Sequence, residues 1–446
     1  MSDVSRQHAM EIWRAAVEAV RPERCLPQVT PRVVQIAPEV FRRGGVGRIL
    51  VVGGGKAGLA MARVWRKELE HLGIEPERVV GWVNVPGGEG SRCEGGIELW
   101  SARPHGINQP TAEAVAGTER ILELAASAAP QDVLVCLLSG GGSALLPAPV
   151  ARVSLQDKQA VTALLHRCGA TIQEMNTVRK HLSRIKGGGL IRHFRGQRLI
   201  SLIISDVIGD PLDVIASGPT ATDPTTFQDA LEILDRYGLT DQVPEAVLQH
   251  LRRGAVGLEP ETLKSLPTDP SGQPRVHNLI VANNDMALEA AARHAGDLGY
   301  RVLNLGSWIE GETRQVAAVL GDIALGQLRG TCLLCGGETT VTLPQEHGLG
   351  GRNMEFVAAC MQHLYRKCPA RLADLTILSG GTDGEDGPTD AAGAVADADT
   401  AAHPLFGELS GFLQRHDTYS FFAGVGGLLK TGLTGTNVMD VRIILT

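Results

Sequence analysis

Seven times along this chain a run of apolar, β-favouring residues stops abruptly at glycine, serine, aspartate or asparagine: RILVVGGG, RVVGWVNVPGG, DVLVCLLSGGG, RLISLIISD, HNLIVANND, TCLLCGG and LTILSGG. Helix-favouring stretches lie between most of these runs, and strands that are apolar at consecutive positions belong to parallel sheets covered on both faces. The pattern predicts a three-layer α/β architecture throughout, Rossmann-like in its N-terminal part. The 446 residues amount to about three usual domains, which calls for more than one core. The polar, proline-containing stretch from Thr240 to Arg275 breaks the pattern. It sets the expected division at 1–250 for a larger N-terminal domain and 275–446 for a smaller C-terminal α/β domain. Ahead of the first strand, Met10, Trp13, Val17 and Val20 recur at helical spacing behind Ser2 or Asp3 as N-cap, which predicts an amphipathic opening helix.

Glycine is in excess, 54 of 446 residues, against a usual level of about 7%. There is neither a collagen-like period nor a Gly/Ser tract, and 24 of the 54 fall in seven clusters, at 53–58, 140–142, 187–189, 336–337, 348–351, 380–387 and 424–435. A net charge of −7 and 4% aromatics provide neither the cationic field nor the stacking platforms of a nucleic-acid binder. No apolar run approaches the roughly 18 residues of a membrane span, and the first residues carry no apolar signal core. With eight scattered cysteines, the expectation is a soluble, reduced, cytoplasmic protein with no nucleic-acid or membrane partner.

Beyond the carboxyl ends of parallel strands, loops and helix N-termini present N–H groups to ligands. The turn Gly53-Gly54-Gly55-Lys56-Ala57-Gly58 matches GxGxxG, but a dinucleotide site needs an acid ending the second strand, which here reads Val83-Asn84-Val85-Pro86. It is not a Walker loop either, because Ala57 follows Lys56. What remains is an anion turn at Gly54 and Gly55 with Lys56 at a helix start, where a cation opposes the dipole unless an anion joins it; a solvated lysine is the alternative. Ser139-Gly140-Gly141-Gly142-Ser143 offers consecutive N–H donors and two hydroxyls to phosphate oxygens, or packs as a tight turn. Arg179 and Lys186 precede Gly187-Gly188-Gly189 as anion ligands or as a solvated face.

Carboxylates also gather at strand ends. Asp206 and Asp210 flank Gly209, Glu338 follows Gly336-Gly337, and Asp383, Asp386 and Asp390 follow Ser379-Gly380-Gly381. Such oxygens beside phosphate turns suit magnesium, whereas aspartates in turns often only cap helices. Cys332 and Cys335 form a CxxC inside a predicted strand with no second pair at zinc spacing, and read as buried hydrophobes. The histidines form no zinc motif, and the serine turn is not the GxSxG of hydrolases.

In order, VVGGGKAG, LLSGGGSALL, NTVRKHLSRIKGGGL, ISDVIGDPLDVIASGPT, CGGETTVTL, GLGGRNMEF, LSGGTDGEDGPTDAAGAV and KTGLTGTNVMD resemble the glycerate 2-kinase family, whose C-terminal half is called the MOFRL domain. The resemblance runs from about Glu11 to Leu445. It implies transfer of the γ-phosphoryl group of ATP, with Mg2+, to the C2 hydroxyl of D-glycerate in a cleft between the two domains. It implies Lys56 and Arg352 as catalytic cations and the turn from Ser139 to Ser143 on phosphate. Arg352 can grip the transferring phosphoryl group or the glycerate carboxylate, since a guanidinium binds either with two hydrogen bonds. Around these, Asp206 is the expected base, Asp210, Glu338 and Asp383 the metal ligands, and Arg179 and Lys186 the substrate contacts. Thr436 and Asn437 are the nucleotide contacts on a polar tail closing over the cleft. The expected partners are glycerate and ATP, and a homodimer is compatible with the pattern. The chain departs from the family at Ala102 to Thr111, ARPHGINQPT, where many members carry a GHPVPDE-like stretch; acceptor fit or domain closure is what that change affects. The rival readings are an NAD(P)H-linked hydroxypyruvate reductase and a noncatalytic nucleotide or sugar-acid sensor.

Overall fold

All seven apolar runs are strands in the computed structural model, which describes residues 2–42, 47–87, 92–104 and 109–446. The first sheet contains β1 (Ile49–Gly54), β2 (Val79–Pro86), β3 (Arg92–Glu94), β4 (Ile97–Arg103), β5 (Val133–Leu138), β6 (Arg198–Ile204) and β7 (Val276–Ala282). Their order is β3-β4-β2-β1-β5-β6-β7. β1 is buried at every position and pairs in parallel with β2 and β5; β2–β4 and β5–β6 are also parallel, while the short β3–β4 hairpin is antiparallel. Gly53 lies opposite Leu137 and Gly54 opposite Leu138, so the first two glycine turns leave the sheet at one level. Helices Leu155–Arg167 and Ile172–His181 each start on a capping box, Ser154 with Asp157 and Thr171 with Glu174, which satisfies backbone N–H groups that would otherwise be orphaned.

The second sheet contains β8 (Arg301–Asn304), β9 (Ile309–Glu312), β10 (Thr331–Thr340), β11 (Thr376–Gly381), β12 (Gly393–Ala396), β13 (Leu428–Leu429) and β14 (Asp440–Leu445). The order is β13-β12-β11-β14-β10-β8, with β9 also on β10. The α/β architecture holds here too, but the sheet is mixed where continuous apolar runs suggest parallel pairing. β14 runs antiparallel to both β10 and β11, and β11–β12 and β12–β13 are antiparallel, while β8 and β9 pair with β10 in parallel. The connection from β11 to β12, residues 382–392, contains no helix, and strands joined without a crossover helix return antiparallel.

The chain divides into two compact units: Cys25–Ser205 with Asp210–Val281, and Met1–Arg24 with Asp206–Gly209 and Ala282–Thr446. The polar stretch from Thr240 to Arg275 lies in the first unit, and the opening helix, Ser2–Ala19, in the second. Its stripe of Ala9, Ile12, Trp13, Ala16, Val17 and Val20 is buried against β11, β14 and helix Asn284–Asp297. Trp13 Nε1 donates to the Gly380 carbonyl at 3.2 Å, and Arg6 pairs with Asp397 at 2.7 Å. No helix among the described residues is long and apolar enough to cross a membrane.

Candidate active site

Level strand ends let the first two glycine turns interlock. The Lys56 N–H donates to the Gly140 carbonyl at 2.8 Å, and the Ala57 N–H to Ser139 Oγ at 3.0 Å. A methyl group on Gly55 would lie 2.1 Å from Ser139 Oγ, and one on Gly54 3.0 Å from Leu146 Cγ. Gly54, Gly55 and the buried Ser139 thus hold the two turns together. Gly141 is different: its φ is 77°, it caps the short helix Gly142–Leu145, and the space of its missing side chain is bounded by Arg103 Nη2 at 3.2 Å and Lys56 Cγ at 3.5 Å. The Arg103 guanidinium and the stem of Lys56 therefore both border this turn. Arg103 closes β4 just past a register shift at Val85/Pro86, and its carbonyl accepts the Gly87 N–H. Sequence reasoning did not single Arg103 out; a buried arginine ending a largely apolar strand was the available signal. Of the departing stretch, residues 105–108 lie outside the described residues.

Ser143 ends the turn and is half-buried, with its Oγ 2.8 Å from Ser217 Oγ. Ser217 and Ala216 hold φ of 61° and 51°, a left-handed conformation that non-glycine residues adopt at a cost and that concentrates at functional sites. Lys186 is buried; its Nζ donates to the Ser143 carbonyl at 3.0 Å and to Ser217 Oγ at 3.2 Å. The equally buried Lys158 Nζ donates to the Leu182 carbonyl at 2.9 Å. Burial first, then the like charges of Lys158 and Arg179, hold the Lys186 ammonium well below its usual range. Burial, then Arg179 and Arg184, push Lys158 down to about 7. Neither amine has a carboxylate partner among the described residues, whereas neighbouring Lys180 sits between Asp213 at 3.2 Å and Asp223 at 2.9 Å. An unbalanced cluster of buried cations is a poor resting arrangement and a good anion site. Asp210, with φ of 54°, lies in this unit, on the turn leading to Asp213.

In the second unit, Arg352 opens helix Arg352–Lys367. Its Nε and Nη2 donate to the buried Asp440 at 2.7 and 3.0 Å, and its Nη1 pairs with Glu338 at 2.7 Å. Burial opposes the charge, but Asp440 and Glu338 outweigh it and raise the guanidinium pKa further. Asp440 also accepts from Asn353 Nδ2 at 2.9 Å and from the fully buried Arg442 at 3.0 Å. Asp386 caps the same helix by accepting the N–H groups of Asn353 and Met354 at 3.0 and 2.8 Å; burial pushes its carboxyl up to about 7 despite those bonds. Asp206 Oδ2 accepts from Asn437 Nδ2 at 3.2 Å, and Asp383 Oδ1 from the Glu385 N–H at 3.1 Å. Thr436 Oγ1 donates to the Val20 carbonyl at 2.7 Å, and Lys430 pairs with Asp390 at 2.8 Å, so the polar tail is tied into its own unit. Asp440, which sequence reasoning passed over, is the organising carboxylate.

The structure thus brings Lys56, Ser143 and Lys186 to one turn system and joins Glu338 to Arg352. No group of three His, Cys, Asp or Glu side chains among the described residues is placed to hold a metal. Cys332 and Cys335 are buried, their thiols pushed up to about 12 and about 11, chiefly by burial. At the end of β2, where a dinucleotide enzyme needs an acid, Asn84 is fully buried; its Nδ2 donates to the carbonyls of Ala114 at 3.3 Å and Leu145 at 2.7 Å and to Thr118 Oγ1 at 3.3 Å.

Two family models match the chain: a domain of unknown function (DUF4147) over residues 8–252 and the MOFRL family over 331–440. A glycerate kinase of Rattus norvegicus is 36% identical over 98% of this chain and 92% of its own length. A glycerate 2-kinase of Pyrococcus horikoshii is 40% identical over 75% of this chain and 76% of its own. A putative hydroxypyruvate reductase of Agrobacterium vitis is 38% identical over 100% of this chain and 95% of its own. The crystal structure of glycerate kinase (EC 2.7.1.31) from Thermotoga maritima superposes with a TM-score of 0.81 at 31% identity, over 99% of each chain.

Proposed function

Because the chain belongs to the glycerate kinase family, we propose that it transfers the γ-phosphoryl group of ATP to the C2 hydroxyl of D-glycerate, releasing 2-phosphoglycerate and ADP. The observation that carries this reading is the Gly141 turn, whose missing side chain leaves a space flanked by Arg103 and Lys56. Phosphoryl transfer needs positioned cations on the equatorial oxygens more than it needs covalent chemistry. In this reading Lys56 and Arg103 hold phosphoryl oxygens on the turn, Arg179 contributes positive charge beside it, and Lys186 lines the same turn behind Ser143. Arg352 grips the substrate carboxylate or the moving phosphoryl group, with Glu338 as the partner it releases and Asp440 as the one that keeps it aimed. That the end of β2 carries the fully buried Asn84 in place of an acid counts against the reductase.

The sparse carboxylates fit a magnesium ion that arrives on the nucleotide, since Mg2+ commonly takes one or two protein carboxylates with phosphates and water. Asp210, Glu338 and Asp383 are the residues proposed to meet it. When bound, it neutralises charge on the phosphate oxygens.

The test is to supply D-glycerate, ATP and magnesium, follow ADP, and ask whether enolase alone converts the product. ADP with an enolase-ready product is expected. A product that enolase accepts only after a mutase overturns the 2-position, and NADH oxidation with hydroxypyruvate in place of ADP formation overturns the kinase. The 2-position is also the one named for the Pyrococcus relative.

A further inference from the structure

Ser143, Ser217 and Lys186 form a continuous line of hydrogen-bonding groups running from a half-buried hydroxyl to an enclosed amine. The Oγ–Oγ distance is 2.8 Å and the Ser217 Oγ to Lys186 Nζ distance 3.2 Å. Ser217 is 0% and Lys186 4% exposed. Both ends are fixed to one turn, because Lys186 also holds the Ser143 carbonyl at 3.0 Å. At rest Ser217 Oγ donates to Asn176 Oδ1 at 3.2 Å and accepts from Lys186 Nζ, so the middle hydroxyl is held in place and must turn its proton from Asn176 to the amine lone pair for the line to conduct. The charged groups facing the amine are Lys158 from helix Leu155–Arg167 and Arg179 from helix Ile172–His181, both cationic. Asp213 and Asp223 are engaged by Lys180. Shielded from water and, among the described residues, facing only like charge, this lysine favours the neutral amine, which has a lone pair to receive a proton.

We propose that this line carries away the proton of the acceptor alcohol, with Ser143 touching the substrate and Ser217 and Lys186 acting through it. As the alcohol oxygen bonds to the γ-phosphorus and the bond from that phosphorus to ADP breaks, the alcohol proton passes to Ser143 Oγ. Ser143 passes its own proton to Ser217, and Ser217 its own to Lys186, which becomes an ammonium facing a newly anionic product. The proton returns to solvent after product release. The inference rests on the kinase reading and deepens it by naming a base other than Asp206, which lies in the other unit on Asn437.

The test is the pH profile of kcat for the full chain, with D-glycerate, ATP and magnesium saturating, in wild type, Lys186→Arg, Ser217→Ala and Asp206→Asn. A guanidinium stays protonated and cannot accept a proton, and a general base is worth roughly 10²–10⁴ in rate. Lys186→Arg is therefore expected to lose at least about a hundredfold in kcat together with the limb that rises with pH. Ser217→Ala, which leaves Lys186 and Arg179 in place, should lower kcat about tenfold or more with KM for D-glycerate little changed. It should also turn a bowed dependence of rate on D2O fraction into a straight line. Asp206→Asn should keep the limb. Wild-type turnover with the limb intact in Lys186→Arg, or lost only in Asp206→Asn, overturns the relay and leaves the kinase standing. No ADP from wild type at any pH overturns the kinase reading and the relay with it.

Discussion

Gly55 and Gly141 sit in facing turns and do different work. A methyl group on Gly55 meets Ser139 Oγ at 2.1 Å and the Ser139 carbonyl at 2.7 Å, neither of which can retreat without parting the turns. Gly55→Ala is expected to cost about 1–3 kcal/mol by forcing a packed interior apart, read as a lower denaturation midpoint. A methyl on Gly141 meets only Arg103 Nη2 at 3.2 Å and Lys56 Cγ, at an ordinary van der Waals 3.5 Å, so its stability cost is the left-handed backbone penalty of about 1–2 kcal/mol. Because it fills the space between the two cations, Gly141→Ala should lose more activity than stability, with kcat/KM down at least about tenfold. Lys56→Ala should lower kcat about a hundredfold or more with the denaturation midpoint within error of wild type, the size expected when one preorganised donor is removed. Lys56, Ser143 and Lys186 were legible in the sequence because each stands beside a glycine run that marks a strand end. Arg103, Ser217 and Asp440 were not, because what makes each of them matter is a partner far along the chain: Gly141 for the first, Lys186 for the second, Arg352 for the third.

Elements built for stability carry residues that work against it. Helix Leu155–Arg167 opens on a complete capping box yet buries Lys158. Burial and the nearby Arg179 and Arg184 lower that ammonium to about 7, against about 10.4 in an unfolded chain. Between those values the unfolded chain binds more protons, so this group makes stability rise with pH across the window; below about 7 both states are charged and the cost is complete. Lys158→Met should therefore raise the melting temperature at pH 7, by about 2–4 °C for each kcal/mol relieved. The gain should shrink as pH approaches 10, where wild type is neutral in the fold. A gain that grew with pH would contradict the burial argument. The strands that sequence reading found carry apolar runs that stop at glycine, serine, aspartate or asparagine, such as β1 and β5. β14 was missed because Asp440 and Arg442 interrupt DVRIIL, and only the structure makes them a buried, same-face ion pair two residues apart, 3.0 Å between Oδ2 and Nη2. Its antiparallel insertion between β10 and β11 could not be anticipated from a pattern that specifies burial rather than direction.

At the scale of the whole molecule, the chain's beginning completes its end. Trp13 is 1% exposed, and its Nε1 hydrogen-bonds to the carbonyl of Gly380 in β11. Gly380 accepts it closely because it lacks a side chain; a methyl there would lie 2.7 Å from the indole nitrogen. Arg6 on Asp397 and the Val20 carbonyl on Thr436 add two more ties within the same unit. The opening helix is thus a covering layer of the second sheet although it comes first in the chain. Truncating a fully buried tryptophan costs about 3–5 kcal/mol in a core that relaxes only partly. Trp13→Ala in the full chain should therefore accelerate amide exchange in β10, β11 and β14 by two orders of magnitude or more, at about tenfold per 1.4 kcal/mol. Exchange in β1, β5 and β6, which belong to the other unit, should stay near its wild-type rate, because local opening is confined to the cooperative unit that has been weakened. Equal acceleration in both sheets would mean that the two units unfold as one, and the assignment of the opening helix to the second unit alone would then fail.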